Sequence, residues 1–579
     1  MRSSTWLALV LLAALHTLGN VAKPLHIDDA AYYYYARQAD QHPLDPYGFQ
    51  IFWWHNPEPA NEVLAPALLP YWWSLALRID GERTWVWKLA LVPFSLFFIG
   101  SLYALFRRFA RGLEMPLVWL TVLSPTFWPS LNLMLDIPCM ALSLFALVLF
   151  MRACDRNSFA LAALAGLVAG LAMETKYTAF LTPLAMLLYT VLLGRIRLWP
   201  VAALVAIQVF VSWETIVALL YGESHFLYHY RVRSQTDWLT KLSLLLPLLG
   251  ILGSITPAML LLALKGLRVP WPFLAVVGLV AILGFGLVAN IKDTDATRLY
   301  PPLLFADIHS DRPYLPFQEA WFGVWGIALA LLILTGIALL LRLWPYRPRR
   351  FQQSIAEAIP VRWITNSRLT RVTLFLALWL SLEIAGYVAL TPFAAVRRVM
   401  GVVVVCTLIA GCVAARTCQH RRTQIGVWCI AAYSAALGLG FAILDWREAQ
   451  AEQEGVERAA TWLNEHGDGG RVWYVGHWGF QFYAEQAGMK PISPTESELK
   501  EGDYLVYPYW ITMQSFDLNG TPCALVEKLE IDDLVPLQIV MCYYSGNTAI
   551  ENRNLDDPRL TVYIYRITKG CMPGYRKRG

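Results

Sequence analysis

The chain has 579 residues, of which 57% are hydrophobic, 15% charged and 13% aromatic, and its formal net charge is +5. Because soluble domains average about 25% charged residues, this composition excludes a purely soluble enzyme, a disordered chain and a disulfide-rich secreted module. Most lysines and arginines form short clusters between apolar runs. The basic excess therefore indicates membrane topology and not a nucleic-acid partner.

A helix that crosses a bilayer needs about 20 mostly apolar residues, and about thirteen runs meet this requirement. They cover residues 4–22, 84–106, 116–134, 137–151, 159–174, 178–194, 198–220, 242–264, 270–290, 318–343, 372–391, 398–416 and 424–443. For the first run a cleavable signal peptide is the alternative, although no small-x-small cleavage site precedes Lys23. With a cytoplasmic N-terminus, the short basic clusters between spans fall inside, as the positive-inside rule requires. We therefore predict a polytopic α-helical membrane domain over residues 1–444, with a first external loop and juxtamembrane helices at 23–83.

Residues 445–579 have the polar composition of an ordinary globular domain, and we predict a soluble, extracytoplasmic α/β domain there. The predicted elements are an amphipathic helix at 447–465 and strands at 471–476, 503–508, 523–531 and 561–567. None of the nine cysteines forms a CxxC pair, so a zinc site has no support. Two of the tail cysteines (Cys523, Cys542 and Cys571) can pair if the compartment is oxidising, but the sequence does not say which.

The first external loop begins with two adjacent carboxylates in the stretch HIDDAAYYYYARQ, residues 26–38. On a helix the side chains of Asp28 and Asp29 diverge by about 100°, so only one can point into a given pocket. A carboxylate beside tyrosines can act as a general base for a hydroxyl group, and tyrosines also suit sugar stacking. We place Tyr32, Tyr33 and His55 in a substrate pocket. A solvated loop in which Asp28 is a helix N-cap is the alternative.

Two further charges lie at the same outer face. Asp136 opens the fourth span, and Lys176 beside Tyr177 interrupts two short apolar runs. Charged residues next to membrane spans are costly unless they have a function or a watery setting. A lysine there can hold a lipid phosphate. The alternatives are a helix cap for Asp136 and a snorkelling structural lysine for Lys176.

Arg397 and Arg398 begin the twelfth span from the outside, against the positive-inside rule. An anionic ligand explains two arginines at this position better than topology does.

The outer loops also offer candidate ligands for a divalent metal ion, namely Glu58, Glu62, His225 and His229. The two histidines are four residues apart, so a helix places both on one face. Ordinary loop histidines at a headgroup interface are the alternative.

Together these stretches resemble the GT-C superfamily of membrane glycosyltransferases, specifically the family of protein O-mannosyltransferases and the lipid A aminoarabinose transferase. HIDDAAYYYYA is similar to the family's Asp-Glu pair, with Asp28 at the catalytic position and Asp29 replacing the Glu. MLDIPCMALSLFALVLFMRA resembles its Asp-x-Pro helix, and TKYTAFLTPLAML resembles its Thr-Lys helix. HNPEPANEVLAPALLPYWWSLAL lacks the family's paired prolines, and VRRVMGVVV has Val399 in place of an aromatic residue.

The resemblance implies a GT-C fold with about thirteen spans and an external C-terminal domain. It also implies a glycosyltransferase, hexosyl or pentosyl, that uses a polyprenyl-phosphate sugar donor and inverts the anomeric carbon. The acceptor would be a lipid, a glycan or a protein, and the location a bacterial inner membrane with the C-terminal domain in the periplasm. Asp28 would be the general base, with Asp136 and Asp29 orienting the acceptor or a cation. Lys176, Arg398, Arg397 and Tyr177 would bind the donor phosphate.

The competing class is a multi-span transporter or lipid flippase, whose charges are expected near the bilayer midplane and in broken helices. The charges named above instead gather at one outer face. A scaffold without enzyme activity would leave the acidic pair unexplained.

Overall fold

The computed structural model describes the chain except for residues 1–2, 54–55, 64–65, 82, 234–237, 291–297, 300–314, 342–367, 419, 494–495, 510–515, 540–547 and 576–579. His55 and Cys542 lie outside the described residues.

The described part of residues 3–417 is mainly helical. The helices are α1 Ser3–Val21, α2 Asp29–Gln41, α3 Leu68–Ile79, α4 Thr84–Leu89, α5 Val92–Phe109, α6 Glu114–Val122, α7 Asp136–Arg156, α8 Phe159–Met173, α9 Leu181–Leu192, α10 Trp199–Tyr221, α11 His225–Arg233, α12 Trp238–Ser243, α13 Leu245–Ile255, α14 Pro257–Gly266, α15 Trp271–Asn290, α16 Phe317–Leu340, α17 Arg368–Leu390 and α18 Met400–Thr417. Two short hairpins, β1 Gln50–Phe52 with β2 Pro57–Pro59 and β3 Arg298–Leu299 with β4 Leu315–Pro316, lie in the loops.

The prediction of a polytopic helical membrane protein is confirmed. Within the described residues, nine helices are long and apolar enough to cross a membrane. The pair of α13 and α14, bent by 82° at the break between them, has the length and composition of either a broken span or a re-entrant loop. The predicted runs 159–174 and 178–194 form shorter apolar helices.

One prediction was wrong, namely that residues 116–134 form a single membrane-spanning helix. The run 116–134 is helical only up to Val122, and turns follow. Pro125 and Pro129 explain the break, because proline lacks an amide donor and disfavours helix in the residue before it.

Close helix contacts depend on glycine where α13 crosses α16. A Cβ built on Gly253 would meet the carbonyl oxygen of Phe322 at 1.8 Å, and one on Gly326 would meet that of Leu249 at 1.9 Å. Small residues at such crossings let helix backbones approach each other in a membrane.

The C-terminal part begins with α19, a single helix of 46 residues from Arg421 to His466. The remaining elements are α20 Trp478–Gln486 and strands β5 Val472–Tyr474, β6 Lys490–Pro491, β7 Tyr504–Pro508, β8 Phe516–Asp517, β9 Cys523–Ile531, β10 Leu537–Ile539, β11 Ile550–Asn552, β12 Leu560–Ile567 and β13 Gly574–Tyr575. A five-stranded sheet has the order β6-β5-β7-β12-β9, in which β5 pairs in parallel with its neighbours and β12 antiparallel. The predicted amphipathic helix is thus the end of a longer one, and the four predicted strands correspond to β5, β7, β9 and β12.

The first external loop lies between the membrane helices and this C-terminal part. The Lys23 ammonium donates to Asp445 at 2.5 Å, and His26 Nδ1 lies 2.9 Å from Glu452. The Leu25 amide donates to the Tyr483 hydroxyl at 2.9 Å. Since Asp445 and Glu452 are on α19 and Tyr483 is on α20, the start of the first external loop is held by the C-terminal part of the chain.

A buried carboxylate stabilises the C-terminal sheet. Asp503 accepts hydrogen bonds from Arg471 at 2.7 Å, from the Trp473 indole at 2.9 Å and from the Lys500 amide at 2.9 Å. Burial opposes its ionisation, but these hydrogen bonds outweigh burial and lower the pKa of Asp503.

We expect Asp503→Asn to destabilise the sheet by about 2 kcal/mol, because hydrogen bonds to a charged group are lost. Hydrogen exchange of the β5 and β7 amides in the full chain measures this. A group with a lowered pKa stabilises the fold above its unfolded pKa, about 3.9, and the stabilisation is lost as pH falls through the folded value. The difference between wild type and variant should therefore begin to shrink below about pH 4 and disappear only below the lowered pKa of folded Asp503. Asp468→Asn, in a half-exposed ion pair with Arg566, is the control and should cost about 0.5 kcal/mol or less.

Candidate functional site

Asp28 occupies the N-cap position of α2, but its side chain makes no capping hydrogen bond. Its Oδ2 instead accepts from Arg397 Nη1 at 2.5 Å, and the residue is buried. The carboxylate is therefore engaged by an arginine 369 residues away along the chain, which the helix-cap interpretation does not explain.

Asp136 and Lys176 are brought together by a helical hairpin. α7 ends at Asn157, which adopts the left-handed conformation, and the Ser158 hydroxyl then accepts from the Leu161 amide to begin α8. Because the two helices run antiparallel, the start of α7 and the end of α8 lie at the same end of the hairpin. There Lys176 donates to Asp136 in an ion pair.

The ion pairs form one cluster around Arg397. Besides its bond to Asp28, Arg397 Nη1 lies 4.0 Å from Asp136 Oδ2. The side chains of Asp28, Arg397, Asp136 and Lys176 are 11%, 14%, 4% and 15% exposed. Charges this buried must be paired to be tolerated. The cluster therefore joins the first external loop, α7, the end of α8 and the turn before α18.

A 3₁₀ turn, Val396–Arg398, places both arginines just before α18. The Arg398 guanidinium lies over the Phe393 ring at 4.2 Å from its centre, a contact that orients a planar cation.

A narrow cavity of about 80 Å³ adjoins the cluster and has a polar and an apolar end. Asp136, Lys176, Arg397 and Arg398 line the polar part. Met140, Leu144 and Leu147 line it further along α7, about 16 Å from Asp136 to Leu147 at 1.5 Å per residue. Asp28 does not line the cavity itself but is bonded to Arg397, which does.

Glu383 is a cavity residue that was missed from the sequence. It lies in α17, lines the same cavity and accepts from the Trp379 indole at 2.8 Å. The signal was an acidic residue inside the apolar run 372–391, where charges are expensive.

Asp29 points away from this cluster, as the helical divergence of adjacent residues predicts. It is fully buried, and its Oδ2 accepts from the His26 amide at 3.3 Å. Burial raises the pKa of the Asp29 carboxyl, and the positive charges of Lys88 and Lys23 oppose the shift.

The two tyrosines predicted for the substrate pocket have different surroundings. Tyr32 contacts Trp73, with ring centres 5.7 Å apart, and burial together with the negative charge of Asp28 raises its pKa. Tyr33 stacks on Trp87 at 4.9 Å and contacts Phe482 of α20 at 5.1 Å. Tyr32 is thus the one beside the charged cluster.

Tyr177 belongs to a second polar cluster. Its hydroxyl donates to Glu214 at 3.0 Å and lies 2.6 Å from His225 Nδ1, and Ser224 also donates to Glu214. Glu174, also unforeseen, is buried close to Glu214. Tyr177 therefore points away from the Lys176 ion pair.

The metal candidates do not form a common site. His225 Nε2 bonds the Val63 carbonyl at 3.0 Å, the ring of His229 packs edge-on against that of His225, and Glu62 accepts from the Tyr228 hydroxyl at 3.0 Å. Among the described residues, no group of three or more His, Cys, Asp or Glu side chains is arranged to hold a metal ion.

Residues 65–217 match the model of the family described as dolichyl-phosphate-mannose-protein mannosyltransferase. The matched range includes Asp136 and Lys176 but neither Asp28 nor Arg397. The match confirms the predicted resemblance to the GT-C superfamily of membrane glycosyltransferases and supports glycosyltransferase function of the GT-C type. No curated protein matches the chain at significance.

The solved structures that the chain matches include the following three. The archaeal oligosaccharyltransferase AglB from Archaeoglobus fulgidus, in complex with an inhibitory peptide and a dolichol-phosphate, has 13% identity and a TM-score of 0.45 over 86% of this chain and 69% of that chain. ArnT from Cupriavidus metallidurans in the apo state has 14% identity and a TM-score of 0.38 over 88% of this chain and 93% of that chain. The Archaeoglobus fulgidus oligosaccharyltransferase tethered with an acceptor peptide has 12% identity and a TM-score of 0.44 over 85% of this chain and 64% of that chain.

Proposed function

We propose that the protein transfers a sugar from a polyprenyl-phosphate donor to a hydroxyl or amine of a lipid, glycan or protein acceptor, with inversion at the anomeric carbon. The observation that supports this most directly is one ion-pair cluster of Asp28, Arg397, Asp136 and Lys176, from four separate segments. The last three of these residues also line one cavity.

In the proposed reaction the acceptor oxygen or nitrogen attacks the anomeric carbon while the bond from that carbon to the oxygen of the donor phosphate breaks. Asp28 takes the acceptor proton, as a general base must within about 3 Å of the hydroxyl. Arg397 bonds Oδ2 of Asp28 and so holds the carboxylate in place, which leaves Oδ1 for the proton. The products are the glycosylated acceptor and the polyprenyl phosphate.

Lys176, Arg398 and Arg397 bind the donor phosphate and stabilise the negative charge that grows on it as it leaves. Asp136 contacts both Lys176 and Arg397 and therefore positions these cations. The apolar part of the cavity along α7 suits the isoprenoid chain below the phosphate. Asp29 acts as a positioning residue for the first external loop, and Tyr32 forms the pocket wall beside Asp28.

We place the site at the outer face of a bacterial inner membrane, with the N-terminus in the cytoplasm and the C-terminal part in the periplasm. The support is the positive-inside distribution of the short basic clusters. The donor would then enter from the outer leaflet among the membrane lipids.

The experiment uses the full chain in vesicles with a radiolabelled polyprenyl-phosphate hexose or pentose and a membrane extract as the source of acceptor. We expect label to leave the donor and polyprenyl phosphate to appear in equal amount, with the opposite anomeric configuration in the product. Movement of intact donor across the bilayer without cleavage would instead identify a transporter and refute the proposal.

A further inference from the structure

A second, larger cavity lies at the opposite end of the membrane helices from the candidate site. Its volume is about 930 Å³, and it is bounded by α5, α7, α9, α17 and α18. Arg152 lies 16 positions after Asp136 on α7, about 24 Å along the helix axis at 1.5 Å per residue. The hydrocarbon core of a bilayer is about 30 Å thick, so the cavity lies near the headgroup level of the other leaflet.

Seven arginines line this cavity, and most are not neutralised by the described part of the chain. Asp155 is the one acidic residue in the lining, and it accepts two hydrogen bonds from Arg108, at 2.8 and 2.6 Å. The other lining arginines have no ion pair among the described residues, and five of them are exposed (Arg107, Arg111, Arg152, Arg368 and Arg371).

The positive-inside rule explains why arginines lie on this face, but not why they converge on one concave site. Arginines from separate helices that surround one cavity repel each other, and an anion inside it removes the repulsion. Arginine forks also suit phosphate oxygens. The lining includes apolar side chains, among them Val148, Met151, Leu193 and Val372, which suit acyl chains.

We propose that this arginine cavity binds the phosphates of an anionic membrane lipid with two phosphate groups, of the diphosphatidylglycerol type. Two phosphates are favoured over one because five exposed arginines exceed the charge of a single phosphodiester. A lipid is favoured over a soluble anion because the cavity lies at headgroup level and combines arginines with apolar walls. Basic pockets between membrane helices are a known means of binding such headgroups.

The test uses the purified full chain in detergent. Binding of cardiolipin, which is diphosphatidylglycerol, is measured by native mass spectrometry. We expect the triple variant Arg107→Gln, Arg111→Gln and Arg152→Gln to weaken cardiolipin binding at least tenfold. The control triple variant Arg156→Gln, Arg421→Gln and Arg422→Gln removes the same charge at exposed positions outside the cavity and should change binding less than twofold. Equal losses in the two triples would overturn the proposal, because they would indicate general surface charge.

Two further measurements distinguish loss of binding from misfolding, and a lipid ligand from a soluble anion. Lysine at the same three cavity positions keeps the charge and should restore most of the binding, and its failure to do so with an intact fold would contradict a phosphate site. Inorganic pyrophosphate is the soluble competitor. We expect it to compete at least 100-fold more weakly than cardiolipin, whereas equal competition would show a soluble-anion site and refute the lipid assignment.

Discussion

Asp28→Asn is expected to lower the rate of sugar transfer at least 100-fold, since general-base catalysis contributes about 10² to 10⁴ in rate. The amide oxygen of asparagine can still accept from Arg397, so the fold around the cluster should persist while the proton acceptor is lost. The measurement is the initial rate of label transfer from the polyprenyl-phosphate sugar, at equal amounts of folded protein.

The matched control is Asp40→Asn. Asp40 is on the same helix, α2, and it also pairs with an arginine, Arg78, at 2.6 Å, but its side chain is 32% exposed. This variant makes the same chemical change and should keep transfer within about twofold of wild type, since exposed ion pairs contribute about 0–1 kcal/mol to stability. Unchanged transfer by Asp28→Asn, with normal expression, would remove Asp28 from the role of base.

Lys176→Gln is the second substitution from which we expect a large effect, on donor binding and turnover. We expect it to weaken binding of polyprenyl phosphate at least tenfold and to slow turnover as well, because the lysine charge acts on the phosphate both before and after bond cleavage. Binding is measured directly by competition of unlabelled polyprenyl phosphate against the labelled donor. Arg398→Gln should act in the same direction.

Lys241→Gln serves as the control for Lys176, because Lys241 does not line the cavity and donates instead to the Ala389 carbonyl at 3.4 Å. A double-mutant cycle with Asp136→Asn tests the positioning role, and contacting residues should give non-additive effects. If Lys176→Gln changed use of the acceptor and left donor binding intact, the phosphate role would be wrong.

The membrane face on which the charged cluster lies was predictable, because successive spans cross the membrane in alternating directions. Alternating apolar runs place Asp28, Asp136, Lys176 and Arg397 at one face, and charges there need partners. Which partners they have depends on contacts across hundreds of residues, and no local pattern encodes those. The divergence of Asp28 and Asp29 was predictable from helix geometry, but not which of the two would face Arg397.

Where the structure departs from a local sequence signal, the cause is local and physical. Tyr177 follows Lys176 directly, yet a 3₁₀ turn that starts at Tyr177 directs the two side chains to different clusters. The helical signal of 116–134 came from its hydrophobicity, although Pro125 and Pro129 break it. The composition changes near Asp445, at the predicted domain boundary, and α19 runs through this point because neither glycine nor proline interrupts residues 441–454.

The ion pairs of the first external loop also set an order of assembly during synthesis. Asp28 and Arg397 are 369 residues apart, and Lys23 and Asp445 are 422 apart. At 5–20 residues per second, about 20 to 70 s pass between synthesis of Asp28 and of Arg397. Asp28 is therefore synthesised early and its counter-charge Arg397 late, and translation that stops before Arg397 leaves Asp28 without this partner.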